Sequence, residues 1–212
     1  MTRGTPSHAE FYRVYCTALV DHAKHEETSP EEAQLLYRRA ETRLSEAFAM
    51  LKSSIDNDSQ MFLQRVAQLQ RALGDCKFGQ EQYEKAHAEY FRGIEYLSKL
   101  DPPDRFWTAE FYFRCAWSNE MMERYSEARD ELIEAIALVD YALENGPMPQ
   151  GKSEFERARD SLVDQLHLMN WHIVRPYLIN AWPVVARPIQ QIPFLRVLVP
   201  AIGDQKIARN DN

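Results

Sequence analysis

YEKAHAEYFRGI at 83–94 and YSEARDELIEAI at 125–136 are one phrase written twice. Tyr83, Ala86, Tyr90, Gly93 and Ile94 in the first copy answer to Tyr125, Ala128, Leu132, Ala135 and Ile136 in the second. Pro30, Ala33, Tyr37 and Ala40 form a third, sparser copy. Repetition inside a chain is a property of its architecture, so it is read before any single residue. Small residues seven apart lie on one face of a helix, where a neighbouring helix comes close, and the large residue between them fills the gap above. The expected fold is all-α, a stack of antiparallel helical hairpins whose work is to hold another chain.

Working outward, helix signals recur along the sequence. Ser7 and Glu10 form a capping box, followed by Phe11, Val14, Tyr15, Ala18, Leu19 and His22 at helical spacing. Ser29, Pro30 and Glu32 mark a second start, with Ser29 as N-cap and Pro30 at the first helical position; that helix should run to about Ser53. A polar break at 55–59 precedes a third helix from Gln60, and a fourth is expected over 82–100, stopped by Asp101-Pro102-Pro103-Asp104. A fifth should span 106–122 and a sixth 125–143; Ser153 and Glu156 cap a seventh. No segment alternates with period two, so no sheet is expected.

These residues resemble the tetratricopeptide (TPR) repeat family. Leu73-Gly74 with Tyr83, Ala86, Tyr90, Gly93 and Pro102 is one repeat, and Cys115-Ala116 with Tyr125, Ala128, Leu132 and Ala135 another. The first hairpin departs, carrying Val20-Asp21 where the family has a large and a small apolar residue. The copies are 53 and 42 residues apart against the family's period of about 34, which implies elongated helices and inserted loops. The resemblance implies a superhelix whose first helices line a groove for a peptide or a partner helix. It places Gln68, Arg71, Asp75 and Phe78 in that groove from one repeat, and Glu110, Phe113, Trp117 and Glu120 from the next. The first hairpin would add Tyr15, Ala18, His22 and His25. Asp75 stands where a carboxylate-binding groove would need an Asn, so the groove is expected to be aromatic and acidic. Phe78, Phe113 and Trp117 would seat apolar anchors while Asp75, Glu110 and Glu120 attract basic flanks.

The C-terminal stretch differs in kind. Residues 173–202 contain no Asp, Glu or Lys, but have Arg175, Arg187, Arg196 and prolines at 176, 183, 188, 193 and 200. Their charge of +3 leaves the rest of the chain at −10. Prolines at this density are expected to prevent a continuous helix, and with it a conventional membrane span. The organisation expected is a TPR-like domain over 1–150, a capping helix over 151–172 and a Pro-rich irregular tail over 173–212. Three uses of the tail remain open: folding back as a cap on the last hairpin, docking on a partner or second copy, or lying on a membrane surface. Trp182, Arg187, Phe194 and Arg196 are its expected contact residues.

Composition narrows function by exclusion. The net charge of −7 disfavours nucleic acid, whose binding depends on Lys and Arg. Cys16, Cys76 and Cys115 are isolated, with no Cys-x-x-Cys pair, which fits buried thiols in a reducing compartment. Residues 1–10 carry neither the apolar stretch of a signal peptide nor an Arg-rich presequence, so a cytoplasmic location, or one peripheral to a membrane or within a larger complex, is expected. His22 and His25 have the spacing of a metal-binding pair but no third ligand nearby, and no metal is expected. No phosphate loop, nucleophile elbow or zinc-protease motif occurs, and no cofactor or catalysis is expected. The reading is a non-catalytic adaptor or assembly subunit binding a protein partner with basic and apolar anchors. Its alternative is a membrane-peripheral scaffold attached through the tail.

Overall fold

The computed structural model describes residues 13, 15–17, 19–21, 23–24, 28–54, 59–145 and 152–190; the side chains of 53–54, 152–155, 175 and 177–190 are outside the description. Every regular element among them is helical: α1 (Pro30–Ser54), α2 (Gln60–Gly79), α3 (Tyr83–Leu97), α4 (Arg105–Met121), α5 (Tyr125–Asn145) and α6 (Lys152–Gln190). Helical residues between 13 and 23 precede α1. The expected all-α class is what the chain adopts. The Ser7–Glu10 capping box lies outside the described residues.

Local chemistry explains the helix starts. Ser29 Oγ accepts the Glu32 N–H at 3.2 Å, and Pro30 opens α1 where a missing donor costs nothing. Ser59 and Asp104 cap α2 and α4 in the same way, accepting from the N–H groups of Phe62 and Trp107. The α2–α3 and α4–α5 turns are copies of each other. The Gln82 and Arg124 N–H groups each bond a carbonyl five residues back, at 2.9 Å, on Lys77 and Asn119. Glu81 and Glu123 bond three residues back and take left-handed φ values of 60° and 59°. This is the Schellman arrangement, whose left-handed position is usually glycine. The repeated phrase therefore includes its preceding turn.

Consecutive helices pack: α1 on α2, α2 on α3, α3 on α4 and α4 on α5. Three glycines set the closeness. A Cβ on Gly79 would overlap the Tyr37 ring of α1, one on Gly74 the Tyr90 ring of α3, and one on Gly93 the Phe111 ring of α4. Tyr37, Tyr90 and Phe111 are all buried, as are Ala40 and Ala47 of α1, Ala86 of α3, Ala116 of α4 and Ala128 and Ala135 of α5. Small residue against large ring is thus the unit of packing, with Leu44, Leu51, Val66, Leu97 and Leu132 filling the core between contacts. Asp21 is exposed and Val20 buried, so the charge of the first hairpin stays out of the core. Lys77 of α2 and Gln80, which caps its C-terminus, clamp Glu41 of α1 at 2.5 and 3.1 Å. Burial raises the Glu41 pKa, but these hydrogen bonds more than offset it and hold the carboxyl below its usual range. The clamp contributes at neutral pH and is lost as pH falls through that lowered value.

One expectation is corrected. The helix expected over 151–172 continues through Pro176, Pro183 and Pro188 to Gln190. A proline removes one donor and crowds one carbonyl without abolishing the bonds of neighbouring turns, and no glycine between Lys152 and Gln190 offers an exit. Trp182 and Arg187 lie within this helix; Phe194 and Arg196 lie outside the described residues. The chain forms two compact units, residues 1–166 and 167–212. No described helix is long and apolar enough to cross a membrane.

Two substitutions test this packing. Gly93→Ala gains about 1 kcal/mol of helix propensity but drives a methyl into a buried ring that has nowhere to move, at about 1–3 kcal/mol. The clash should win, and the melting temperature should fall; a variant as stable as the parent would mean that α3 and α4 do not meet at Gly93. Glu81→Gly should do the opposite, relieving a left-handed side chain and raising stability by about 0.5–1 kcal/mol after the extra unfolded-state entropy of glycine. A loss of stability in urea denaturation would contradict the left-handed turn.

Candidate functional site

Two helices, α2 and α4, carry the residues expected to bind a partner. The packing above brings Phe78, Phe113 and Trp117 together. The Phe78 and Trp117 ring centroids are 4.5 Å apart, and those of Phe113 and Trp117 are 6.5 Å apart and nearly parallel. Tyr83, the first residue of α3, meets Phe78 edge-on at 5.1 Å. Trp117 sits at the centre with 42% of its surface exposed, while Phe78 and Phe113 are half-buried. Spacing explains the exposure. Cys115, Ala116, Ser118 and Asn119 turn into the core, which leaves the 113–117 stripe of α4 facing outward.

Beside the aromatics lies a polar network of the same two helices. Arg114 donates to Asp75 at 2.5 Å and, through two nitrogens, to Glu110 at 3.1 and 2.9 Å. Arg71 donates to the same Glu110 oxygen at 2.9 Å, and its guanidinium lies over the Trp107 ring at 5.0 Å. The Tyr90 hydroxyl donates to Asp75 at 2.8 Å. Burial alone would weaken the Arg114 charge, but Asp75 and Glu110 raise its pKa above the ordinary guanidinium value. Burial, reinforced by Asp75, pushes the Tyr90 hydroxyl well up, so it remains a donor. Two cations and two anions offset one another.

This corrects the expected acidic rim. Asp75 and Glu110 already have cationic partners within the chain, and Glu120 accepts from Gln165 at 2.8 Å. A partner's basic group would compete with Arg71 and Arg114. Gln68 is separate from the rings and lines a small cleft of about 120 Å³ with Gln64, Ala67, Leu97, Asp104, Trp107 and Phe111. That is below the roughly 300–1,000 Å³ typical of small-ligand pockets. Tyr15 is half-buried and packs on the core; Ala18, His22 and His25 lie outside the described residues. The sequence reading missed Arg114, the residue that joins both carboxylates. Its only local signal is the spacing of four from Glu110, which is common on any helix.

Compared with family models and with curated proteins, the sequence has no match.

Arg114→Met should leave Asp75 and Glu110 under-compensated in a half-buried setting and cost about 2–3 kcal/mol. Arg114→Lys should recover only part of this, because one ammonium cannot reproduce the two-sided guanidinium fork. Urea denaturation of the two variants measures both; full stability in Arg114→Met would make the network ornamental.

Proposed function

We propose that this protein is a non-catalytic interaction module, an adaptor or assembly subunit, that seats a partner helix or peptide on the surface of Phe78, Phe113 and Trp117. The observation that carries this reading is Trp117. A large, rigid aromatic is half open to solvent, yet braced by two further rings. Such pre-ordered aromatics lose little entropy on binding and are the usual anchors of protein interfaces. The resemblance of the repeated phrase to TPR hairpins supports it, since in that family the first helix of each hairpin lines the binding groove, and α2 and α4 would be those helices here.

The chemistry of the surface specifies the partner's character. With Asp75 and Glu110 paired internally, recognition rests on apolar side chains fitting around Trp117, with charge a minor contributor. The high pKa values of all three cysteines argue against thiol catalysis in the same chain. Burial is the first cause at each, pushing Cys16 up to about 11 and the other two further.

Membrane-peripheral attachment through the C-terminal helix is the second reading. It draws on Leu168, Trp171 and Val174, which are exposed at helical spacing on α6.

Trp117→Ala should weaken capture of the native co-purifying partner by about 2 kcal/mol, roughly thirtyfold, with helical content and melting temperature retained. Unchanged capture by the folded variant, together with flotation of the full chain on anionic vesicles that is lost on removing 167–212, would favour the membrane reading instead.

A further inference from the structure

His87 of α3, Cys115 of α4 and Glu131 of α5 each offer one ligand atom, and these three atoms lie within 4.8 Å of one another. His87 Nε2 and Glu131 Oε1 hydrogen-bond directly at 2.6 Å. The other carboxylate oxygen of Glu131 accepts from Nδ2 of Asn119, a buried residue, at 2.9 Å. The imidazole stacks on Phe91 with 9° between the planes, and the Cys115 thiol is buried with Sγ 3.9 Å from the His87 carbonyl oxygen. Glu131 is thus oriented through its second oxygen by Asn119, as ligating carboxylates commonly are, while Phe91 supports the His87 ring. None of these groups belongs to the aromatic surface.

We propose that His87, Cys115 and Glu131 bind one borderline divalent cation of the zinc class, with water in the fourth position. Nitrogen, sulfur and a single carboxylate select such an ion over magnesium or calcium, which take all-oxygen shells. Bond lengths of about 2.0–2.3 Å put tetrahedral donors roughly 3.3–3.7 Å apart, so His87 and Glu131 separate by about 1 Å and the thiol swings inward. Binding forms a metal–sulfur bond and releases the thiol proton to solvent. The dication then faces one thiolate and one carboxylate, so the half-buried site becomes neutral. Such an ion would pin three consecutive helices together. This inference goes beyond the interaction role and does not depend on it.

Cobalt(II), a spectroscopic stand-in for zinc, tests it on the reduced full chain. Titration should saturate at one equivalent, with a near-ultraviolet sulfur-to-cobalt charge-transfer band and the intense visible bands of a tetrahedral site. Cys115→Ser should abolish the charge-transfer band. A Cys16→Ser/Cys76→Ser variant and a His22→Ala/His25→Ala variant should keep it. Zinc should raise the melting temperature of the parent but not of Glu131→Gln, which keeps hydrogen-bonding capacity while losing the anionic ligand. A parent chain without the band, a band that survives Cys115→Ser, or an equal zinc response in Glu131→Gln would each overturn the assignment.

Discussion

The contact on which the rest of this structure depends is an aromatic ring lying on a glycine. Gly74 lets the Tyr90 ring reach the α2 backbone, and Gly93 does the same for Phe111 of α4. These two contacts bring α2, α3 and α4 to their packing distances. The Tyr90 ring also carries its hydroxyl to Asp75, one residue beyond Gly74. Asp75 in turn holds Arg114, which holds Glu110, which holds Arg71. A chain of hydrogen bonds thus runs from the Tyr90 hydroxyl through Asp75, Arg114 and Glu110 to Arg71. Close packing and electrostatics are one mechanism here, because the ion pairs exist only where the helices approach this closely.

Net charge and local charge part company at this surface. The protein carries −7 overall, yet Asp75 and Glu110 meet two guanidinium groups within the same pair of helices. Half-buried ion pairs of this kind gain little net stability over apolar packing, but losing one partner is costly, so they impose a single arrangement. The arrangement they impose leaves Trp117 open and Phe78 and Phe113 bracing it. A partner recognised there would respond to shape and apolar contact more than to ionic strength.

Helix boundaries show how far local information reaches. The start of α1 follows from Ser29, Pro30 and Glu32, since a cap involves only neighbours in the chain. The end of α3 comes at Leu97, short of the expected Leu100, because the last residues tighten into a turn that buries Leu100. The course of α6 was misjudged, because proline counts describe a penalty and say nothing of what the flanking turns retain. The left-handed turns at Glu81 and Glu123 were illegible, since neither position has the glycine that usually announces one.

The candidate surface divides in the same way. That Phe78, Phe113 and Trp117 lie near one another was legible through the resemblance to TPR hairpins, which sets each on a first helix that faces the same groove. Arg114 was not legible as the partner of Asp75, 39 residues away, nor His87 as the partner of Glu131, 44 residues away. The helices from α1 to α5, their caps and the small-against-large pattern by which they meet follow from residues within a turn or two of each other. Which charges are neutralised, and which nitrogen, sulfur and oxygen atoms come together, is set in three dimensions. Those outcomes depend on distances between helices, and a side chain's chemistry does not encode its distance to a residue forty positions away.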